Sequence, residues 1–381
     1  MKMTHSDLNR RLLWSHCLSN RIDGSDAPVK VADACCGIQS QNFQESFSSF
    51  WARIDGFHNN DVMSELKRGG GLVRTRAVRG TMHTIPSKDY YTYVLGGAGE
   101  RFLSWFDNIA KQRNYPGRVE RSRLIYKPVL EEIKGRAVTK EEMQPIVSAK
   151  ARTLGLKEGV WTGIGEMEFL GLLVYAGKKG SRSSYMRADD WIPGLKAPPD
   201  RQTCNVELLR GYIARHGPVS REDIVYWAFF SRQQLDNALA DLSSEIVEFK
   251  MGGSKSPYID LDRNIDRRFP PPPRAIVLPK YDSLMMTLRD KSRFMDMRYY
   301  KRVFHDLGMV RPTVLVDGFV AAIWRRVAKK KRTSIEVHAF KKLDSGAKET
   351  VERKFSEYGE YTGLDVSVRW VRGKWIHQPS R

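Results

Sequence analysis

Two glutamines two positions apart, Gln39 and Gln41, are the residues of this sequence whose types and spacing best suit a chemical role. Their amide oxygens can accept a hydrogen bond from water and their amide nitrogens can donate one, although neither group is a strong base. In a helix, residues two apart point about 200° away from each other, whereas in extended backbone they share a side. The same side chains could also cap helices or bind phosphate, so both interpretations stand on these residues alone.

The residues that precede this glutamine pair predict a helix that ends at Gly37. Glycine is a common residue at the C-terminal end of a helix. If the helix stops there, both amides can point to one place in the turn that leads into a third helix. The helix is predicted from one apolar face at the i, i+3, i+4, i+7 spacing of Val31, Ala34, Cys35 and Ile38, the last of which stands one residue past Gly37.

The helical pattern around the glutamine pair occurs three times along the chain. In the second copy Thr139 follows a turn and Glu142 stands three residues later, which predicts a capping box at a helix start. In the third copy Ser220 and Asp223 give a weaker version of the same signal. Each copy reads as three helices followed by a basic hairpin. This is typical of a winged helix-turn-helix unit, and it makes DNA the first partner to consider.

The predicted fold class is therefore α+β, with three tandem winged helix-turn-helix units followed by a small β-rich C-terminal domain. A run of four prolines at residues 270–273 predicts a stiff linker before that domain. Within the domain, Asp317-Gly318 between two apolar runs predicts a tight hairpin. The expected ranges are 1–121 for the first unit with a bridging segment, 122–200 and 201–266 for the next two units, and 275–381 for the last domain.

The net charge of +20 and the isoelectric point of about 9.8 favour a polyanionic partner. Charge runs are often only solvated faces, so each cluster is either such a face or a phosphate contact. His83 either supports the base of the first hairpin or contacts DNA. The candidate DNA-binding residues are Arg74, Arg76, Arg79 and His83 in the first hairpin, Lys178, Lys179 and Arg182 in the second, and Arg325, Arg326, Lys329 and Lys330 in the last domain.

Several other classes of protein are disfavoured by the sequence. No apolar run approaches the length of a membrane span, and the first residues carry no signal-peptide core. The four cysteines lack CxxC spacing and the eight histidines form no HExxH pair, so we expect reduced thiols, no metal and no cofactor. We expect a cytoplasmic, nucleoid-associated protein without a membrane partner. Three fused units favour a monomer, because each unit supplies what a dimer partner otherwise would.

The chain resembles a known family, the bacterial winged-helix DNA glycosylases of the AlkZ/YcaQ-like type. The resembling stretches are spread over most of the chain in the family's order, and the set is specific although no single one is. They are Gly37-Ile-Gln-Ser-Gln41, Arg79-Gly-Thr-Met-His83, Gly217-Pro-Val-Ser-Arg-Glu-Asp223 with Trp227, Leu278-Pro-Lys-Tyr-Asp282, Arg289-Asp-Lys-Ser-Arg293 and residues 310–318 leading to Trp324.

The resemblance implies excision of bulky or cationic alkylated bases, including the unhooking of interstrand crosslinks joined through purine N7. It also implies that Gln39 and Gln41 are the catalytic residues, as the Gln-x-Gln motif of the family. The intervening residue is typically aliphatic in the family, whereas here it is Ser40. We therefore expect a monofunctional DNA glycosylase acting on double-stranded DNA that carries alkylated or crosslinked purines. The alternatives are a non-catalytic winged-helix regulator or damage sensor, and a resistance protein specific for one natural product's adduct.

Overall fold

The computed structural model describes residues 4–112, 118–155, 163–250, 256–262, 268–305, 308–328 and 333–371. Its helices and small sheets form a mixed α+β fold, which confirms the α+β part of the prediction. The number of winged-helix units and the domain boundaries stay predictions. None of the helices in the described ranges combines the length and the apolarity that crossing a bilayer would require.

The N-terminal region places a small antiparallel sheet among helices. Its elements are α1 (His5–Ser15), α2 (Ala27–Ala34), β1 (Ile38–Gln39), α3 (Phe43–Trp51), α4 (Asn59–Glu65), β2 (Leu72–Arg76), β3 (Met82–Pro86), α5 (Tyr90–Leu95) and α6 (Ala98–Gln112). The strand order is β1-β3-β2, so that β1 extends the hairpin of β2 and β3. In this register Gln39 and Thr75 both lie opposite His83. A 3₁₀ turn, Val78–Gly80, joins the two hairpin strands.

The next region repeats this arrangement with a longer hairpin. It comprises α7 (Arg118–Glu132), β4 (Val138–Thr139), α8 (Lys140–Thr153), α9 (Ile164–Phe169), β5 (Leu173–Lys179), β6 (Arg182–Arg187) and α10 (Ala188–Trp191), with the strand order β4-β6-β5. The predicted capping box at the start of α8 is confirmed. Glu142 accepts a hydrogen bond from the Thr139 backbone N–H at 2.7 Å, and Thr139 Oγ1 accepts one from Glu142 N–H at 3.2 Å.

The third region contains two short helices that follow a long one. Its elements are α11 (Arg201–His216), β7 (Val219–Ser220), α12 (Arg221–Ala228), α13 (Arg232–Asp241), β8 (Ile246–Phe249) and β9 (Tyr258–Leu261), with the strand order β7-β9-β8. Asp223 forms the predicted box with Ser220, each bond being 3.1 Å long. Its second carboxylate oxygen accepts a bond from the Arg289 N–H at 2.8 Å, which connects this region to the C-terminal part of the chain.

The C-terminal part is built on one sheet with the strand order β10-β13-β14-β15-β16, antiparallel except for the last pair. Asp317 and Gly318 both have positive φ, at 50° and 81°, which is the tight-hairpin geometry that the dipeptide predicts. The elements are β10 (Ala275–Leu278), α14 (Ser283–Thr287), α15 (Tyr300–Val303), β11 (Phe304–His305), β12 (Met309–Val310), β13 (Thr313–Val316), β14 (Phe319–Ala328), β15 (Thr333–Ala339), α16 (Ser345–Thr362) and β16 (Val366–Trp370).

The C-terminal sheet and the N-terminal region share one hydrophobic core. Trp324 and Phe355 from the C-terminal part belong to the same buried cluster as Phe50 and Ile38. Inside this contact the guanidinium of Arg53 donates to both carboxylate oxygens of Asp282, at 2.8 and 2.7 Å, and both side chains are fully buried. The sheet therefore supports the segment that carries the glutamine pair.

A stacked pair of buried histidines lies where α1 meets α11. The ring centroids of His16 and His216 are 4.7 Å apart. Burial lowers the pKa of both rings well below the ordinary value, and the nearby cations Arg53 and Arg215 lower the pKa values further. In the described part of the chain, neither ring nitrogen of His216 has a hydrogen-bond partner. Both rings are therefore neutral in the folded protein.

This pair predicts an acid-sensitive fold. Below the ordinary histidine pKa of about 6.5 the unfolded chain takes up protons that the buried rings cannot. The free energy of unfolding should therefore fall as the pH drops below that value, by up to about 1.4 kcal/mol per pH unit for each histidine. Urea unfolding between pH 7.5 and 5 measures this slope. His216→Phe, which keeps the stacking without the proton site, should flatten it, whereas His5→Gln at an exposed position should leave it unchanged. An equally steep slope in the His216→Phe protein would contradict this account.

Candidate active site

The glutamine pair lies on an extended peptide that begins where the second helix has ended. Gly37 has a φ of +92°, a conformation that favours glycine, and it redirects the chain into β1. The ladder with β3 continues one residue past β1, because the Ser40 N–H donates to the Met82 carbonyl at 2.8 Å. Ile38 and Ser40 are fully buried, whereas Gln39 is half-buried and Gln41 is exposed. This alternation places both glutamine side chains on the outward side, with α-carbons about 6.5–7 Å apart.

Hydrogen bonds fix the orientation of both amides. Arg79 Nη2 donates to Gln39 Oε1 at 3.2 Å, and the Met82 backbone N–H donates to Gln41 Oε1, also at 3.2 Å. Both partners can only donate, so the accepting atoms must be the carbonyl oxygens. A carbonyl oxygen has two lone pairs, and each oxygen therefore keeps one acceptor position for a further ligand. Both amide nitrogens are turned away from these donors.

Arg74 holds the peptide between the two glutamines. Its Nη2 and Nε donate to the Ser40 carbonyl oxygen at 2.8 and 3.3 Å. The guanidinium carbon lies 4.9 Å from the ring centroid of Phe43 and 4.4 Å from that of Tyr175. Tyr175 belongs to β5, so the second region helps to position the glutamine pair. The DNA contact expected of Arg74 stays a prediction, and the structure turns this side chain towards the protein.

Arg79 is the cation that binds the Gln39 side chain directly. It has a φ of +57° inside the 3₁₀ turn, a strained conformation for a residue with a side chain. Its Nη1 also approaches the Trp227 carbonyl oxygen, at 3.5 Å. Burial lowers the pKa of this guanidinium, which an arginine tolerates without losing its proton. Within the described residues no carboxylate forms an ion pair with Arg79, and the DNA contact expected of this residue stays a prediction.

His83 lies directly opposite Gln39 in the ladder and is buried. Its Nδ1 is 2.9 Å from the Thr81 carbonyl oxygen. Because a carbonyl only accepts, Nδ1 must carry the proton, and Nε2 keeps a lone pair. Burial, together with the charge of Arg79, lowers the pKa of His83 to about 3, so the ring is neutral at physiological pH. His83 thus supports the site as a neutral group, and a contact with DNA stays a prediction.

Arg76 points from the first hairpin to the second region. Its Nε donates to Glu168 Oε2 at 3.0 Å, and Glu168 is almost completely buried. Burial raises the pKa of this carboxyl to about 7, although the positive charge of Arg76 opposes the shift. The ion pair therefore joins the hairpin that carries Arg74 to the region that supplies Tyr175.

The other predicted DNA-binding residues are dispersed over the surface. On the second hairpin Lys178 is exposed, Lys179 lies 2.7 Å from Glu142, and Arg182 lies 3.8 Å from Glu141. On β14 Arg325 donates to Glu336 at 2.7 Å, and the adjacent Arg326 is exposed. The remaining two, Lys329 and Lys330, lie outside the described residues.

One charged residue near the site is not among the sequence predictions. Lys291 is buried, and burial together with the charge of Arg79 lowers its pKa to about 7. Its Nζ donates to the carbonyl oxygens of Met285, at 2.7 Å, and of Leu288, and so caps the end of α14. The sequence signal for a buried Lys291 is weak, because the charged run at residues 289–293 is equally typical of a solvated turn. In the described ranges no three His, Cys, Asp or Glu side chains are placed to hold a metal ion.

Comparisons with known proteins identify the family of the chain and structures with a similar fold. Residues 32–361 match the family model described as DNA glycosylase AlkZ-like. Among solved structures, Streptomyces sahachiroi DNA glycosylase AlkZ superposes with a TM-score of 0.81 and 18% sequence identity, over 97% of this chain and 100% of that one. At this identity the likeness concerns the fold. A comparison with curated protein sequences finds no match. The family model covers most of the chain, which therefore belongs to the AlkZ-like DNA glycosylase family, a family of hydrolases that act on DNA.

Proposed function

We propose that this DNA glycosylase hydrolyses the N-glycosidic bond of cationic N7-alkylated purines in duplex DNA, with Gln39 and Gln41 as its catalytic residues. One observation carries the proposal. Both amides lie on the outward side of an extended peptide, with Arg79 bound to one of them, and each amide is held by a hydrogen bond. Such fixed polar groups can act on charge that develops in a transition state without first reorganising.

The chemistry of the substrate explains why neutral amides suffice. An N7-alkylpurine already carries a positive charge, so it leaves the sugar with little need for a general acid. The steps that remain are to position a water molecule and to stabilise the positive charge that develops on the sugar. The second lone pair of each amide oxygen can accept a hydrogen bond from that water or lie close to the sugar, and the proton that the water loses when its oxygen bonds to the sugar passes to solvent. A weak base of this kind acts poorly on an unmodified purine, and the site thereby selects the labile bond.

DNA carrying crosslinked purines is included in this proposal. A base that is linked to the opposite strand cannot leave the duplex completely, so we propose that the glutamine pair reaches the lesion within the groove. Removing a base from the stack costs a few kcal/mol, which this mode avoids. Arg79, Lys178 and Arg326 are proposed phosphate contacts of a monomer that acts in the cytoplasm, on the nucleoid.

Removal of either amide should reduce excision. For Gln39→Ala or Gln41→Ala we expect the rate to fall roughly a hundred- to a thousandfold, because a preorganised polar contact is lost at the developing charge. The measurement is the release of N7-methylguanine from a labelled duplex under single-turnover conditions, with hot alkali converting each abasic site into a strand break.

Gln202→Ala is the matched control, because it removes a glutamine amide that donates a hydrogen bond to Asp241 on the protein surface. This protein should cleave at the wild-type rate. If wild-type protein binds the damaged duplex and no alkali-sensitive site forms, the proposed activity is wrong, and a non-catalytic DNA-binding protein is the remaining reading.

We expect Arg74 to affect the rate of base excision indirectly, because it holds the Ser40 carbonyl between the two glutamines. Arg74→Lys keeps the charge but loses the planar pair of donors on the Ser40 carbonyl. We expect kcat to fall about tenfold, because charged hydrogen bonds contribute about 1.5–3 kcal/mol, while KM stays near the wild-type value. Arg187→Lys, at another partly buried arginine, whose partners are the carboxylates of Glu131 and Asp189, should change neither constant. An increase in KM alone would instead identify Arg74 as a phosphate contact.

The absence of a lyase step is a separate prediction. A lyase needs a free amine to form a Schiff base with the sugar, and the amine of the buried Lys291 is bound to backbone carbonyl oxygens. Borohydride added during turnover should therefore trap no covalent protein–DNA adduct, under conditions where a bifunctional glycosylase is trapped. An adduct that disappears in the Lys291→Met protein would assign the lyase function to this residue.

A further inference from the structure

A cavity of about 530 Å³ opens between α6 and the turn that joins α12 to α13. Trp105 on α6 and Phe229 in the turn form its aromatic walls. Trp105 is 52% exposed, which is unusual for the largest apolar side chain, and Phe229 is half-buried. A cavity of this size is in the range of small-molecule sites, and it is large enough for a planar aromatic ring.

The cavity combines these rings with a cation and polar groups. The guanidinium carbon of Arg101 lies 5.3 Å from the ring centroid of Phe229. At the rim Gln234 donates to Glu100 at 2.6 Å, and Asn108 adds another amide. Aromatic faces with an arginine beside them are the means by which proteins bind unstacked nucleobases, because every base has a face to stack. Amides and carboxylates at the rim can bond to the edge of such a ring.

The backbone holds the Phe229 side of the cavity in a demanding conformation. Phe229 has a φ of 57° and a ψ of 29°, and its N–H donates to the Val225 carbonyl at 3.0 Å, which ends α12. Bulky residues rarely adopt the left-handed region, and where they do the strain is often part of a functional site. Phe229 follows α12 directly, and the next residues lead into α13 from its N-cap, Ser231.

The cavity is connected to the glutamine pair through the turn that carries Arg79. α6 packs directly on this turn, since a Cβ added to Gly80 would lie 2.2 Å from the ring of Phe102. On the other side, Trp227, two residues before Phe229, offers its carbonyl oxygen to Arg79. The cavity and the glutamine pair are therefore supported by the same turn of the first hairpin.

We propose that this cavity binds a planar aromatic ring that damaged DNA presents outside the base stack, between Trp105 and Phe229. The net charge of +20 and the cation at the cavity favour DNA as the source of the ring. The ring is either an unpaired nucleobase beside the lesion or an aromatic group of the adduct itself. This inference rests on the proposed function only in taking damaged DNA as the substrate, and its test is a binding measurement.

The experiment compares a duplex that carries one bulged adenine with the same duplex fully paired, by fluorescence anisotropy at fixed salt. Wild-type protein should bind the bulged duplex about tenfold more tightly, as expected for one stacked base. Trp105→Ala should lose this preference and Trp105→Phe should keep part of it. Trp14→Ala, at another partly exposed tryptophan (38%), should keep it in full. The Gln41→Ala protein should also keep it, so failure of the proposed catalysis leaves this test intact.

A second arm distinguishes the two sources of the ring. N7-benzylguanine and N7-methylguanine duplexes differ by one aromatic ring on the adduct. If the adduct supplies the ring, Trp105→Ala should raise the dissociation constant about tenfold for the benzyl duplex alone. Thermal unfolding of each variant establishes that it is folded. If folded Trp105→Ala binds all four duplexes as the wild type does, the proposal is overturned, and a protein partner seated on the cavity would give this result.

Discussion

The geometry of the candidate site depends on the backbone of one residue, Ser40. Its N–H is bound by β3 through the Met82 carbonyl, and its carbonyl oxygen is bound by β2 through Arg74. With both ends held the residue must stay extended, and the side chains on either side of it must then project together. Two residues without acid–base strength gain a defined geometry in this way. The chemistry proposed for them rests on their position and not on a shifted pKa.

The two hydrogen bonds that hold the Ser40 backbone depend on regions distant in sequence, which must be fixed relative to one another. Tyr175 supports Arg74 from one side, and Arg53 with Asp282 joins α3 to the C-terminal part from the other. Buried ion pairs seldom add much net stability, because both charges lose their water. Loss of one partner is costly, however, since it leaves the other charge buried and uncompensated. The pair therefore acts mainly to specify which segments pack together, and the position of α3 follows from it.

Local signals in the sequence predicted the local parts of this structure. Thr139 with Glu142 formed its box, and Asp317 with Gly318 formed its hairpin, since each depends on a few consecutive residues. The position of the glutamine pair just after Gly37 is likewise a feature of a few consecutive residues. The direction of the Arg74 side chain could not be predicted from local signals, because its partners include the ring of Tyr175, which is about a hundred residues away in the sequence. The hydrophobic core that the N-terminal region shares with the C-terminal sheet could not be predicted from local signals either, because the sequence periodicity presents these two parts as separate domains.

The charges around the pair explain why amides, and not carboxylates, suit this position. Gln39 Oε1 is 3.2 Å from Arg79 Nη2, the distance at which a glutamate would form an ion pair. Such a pair would cancel the local positive charge that can attract a phosphate, and it would hold the carboxylate away from the sugar. A neutral amide accepts the same hydrogen bond and leaves the charge of Arg79 in place. Arg79 would then contact DNA, as proposed, while the amide oxygen keeps its second lone pair for water, so that one contact would serve both the proposed DNA binding and the proposed hydrolysis.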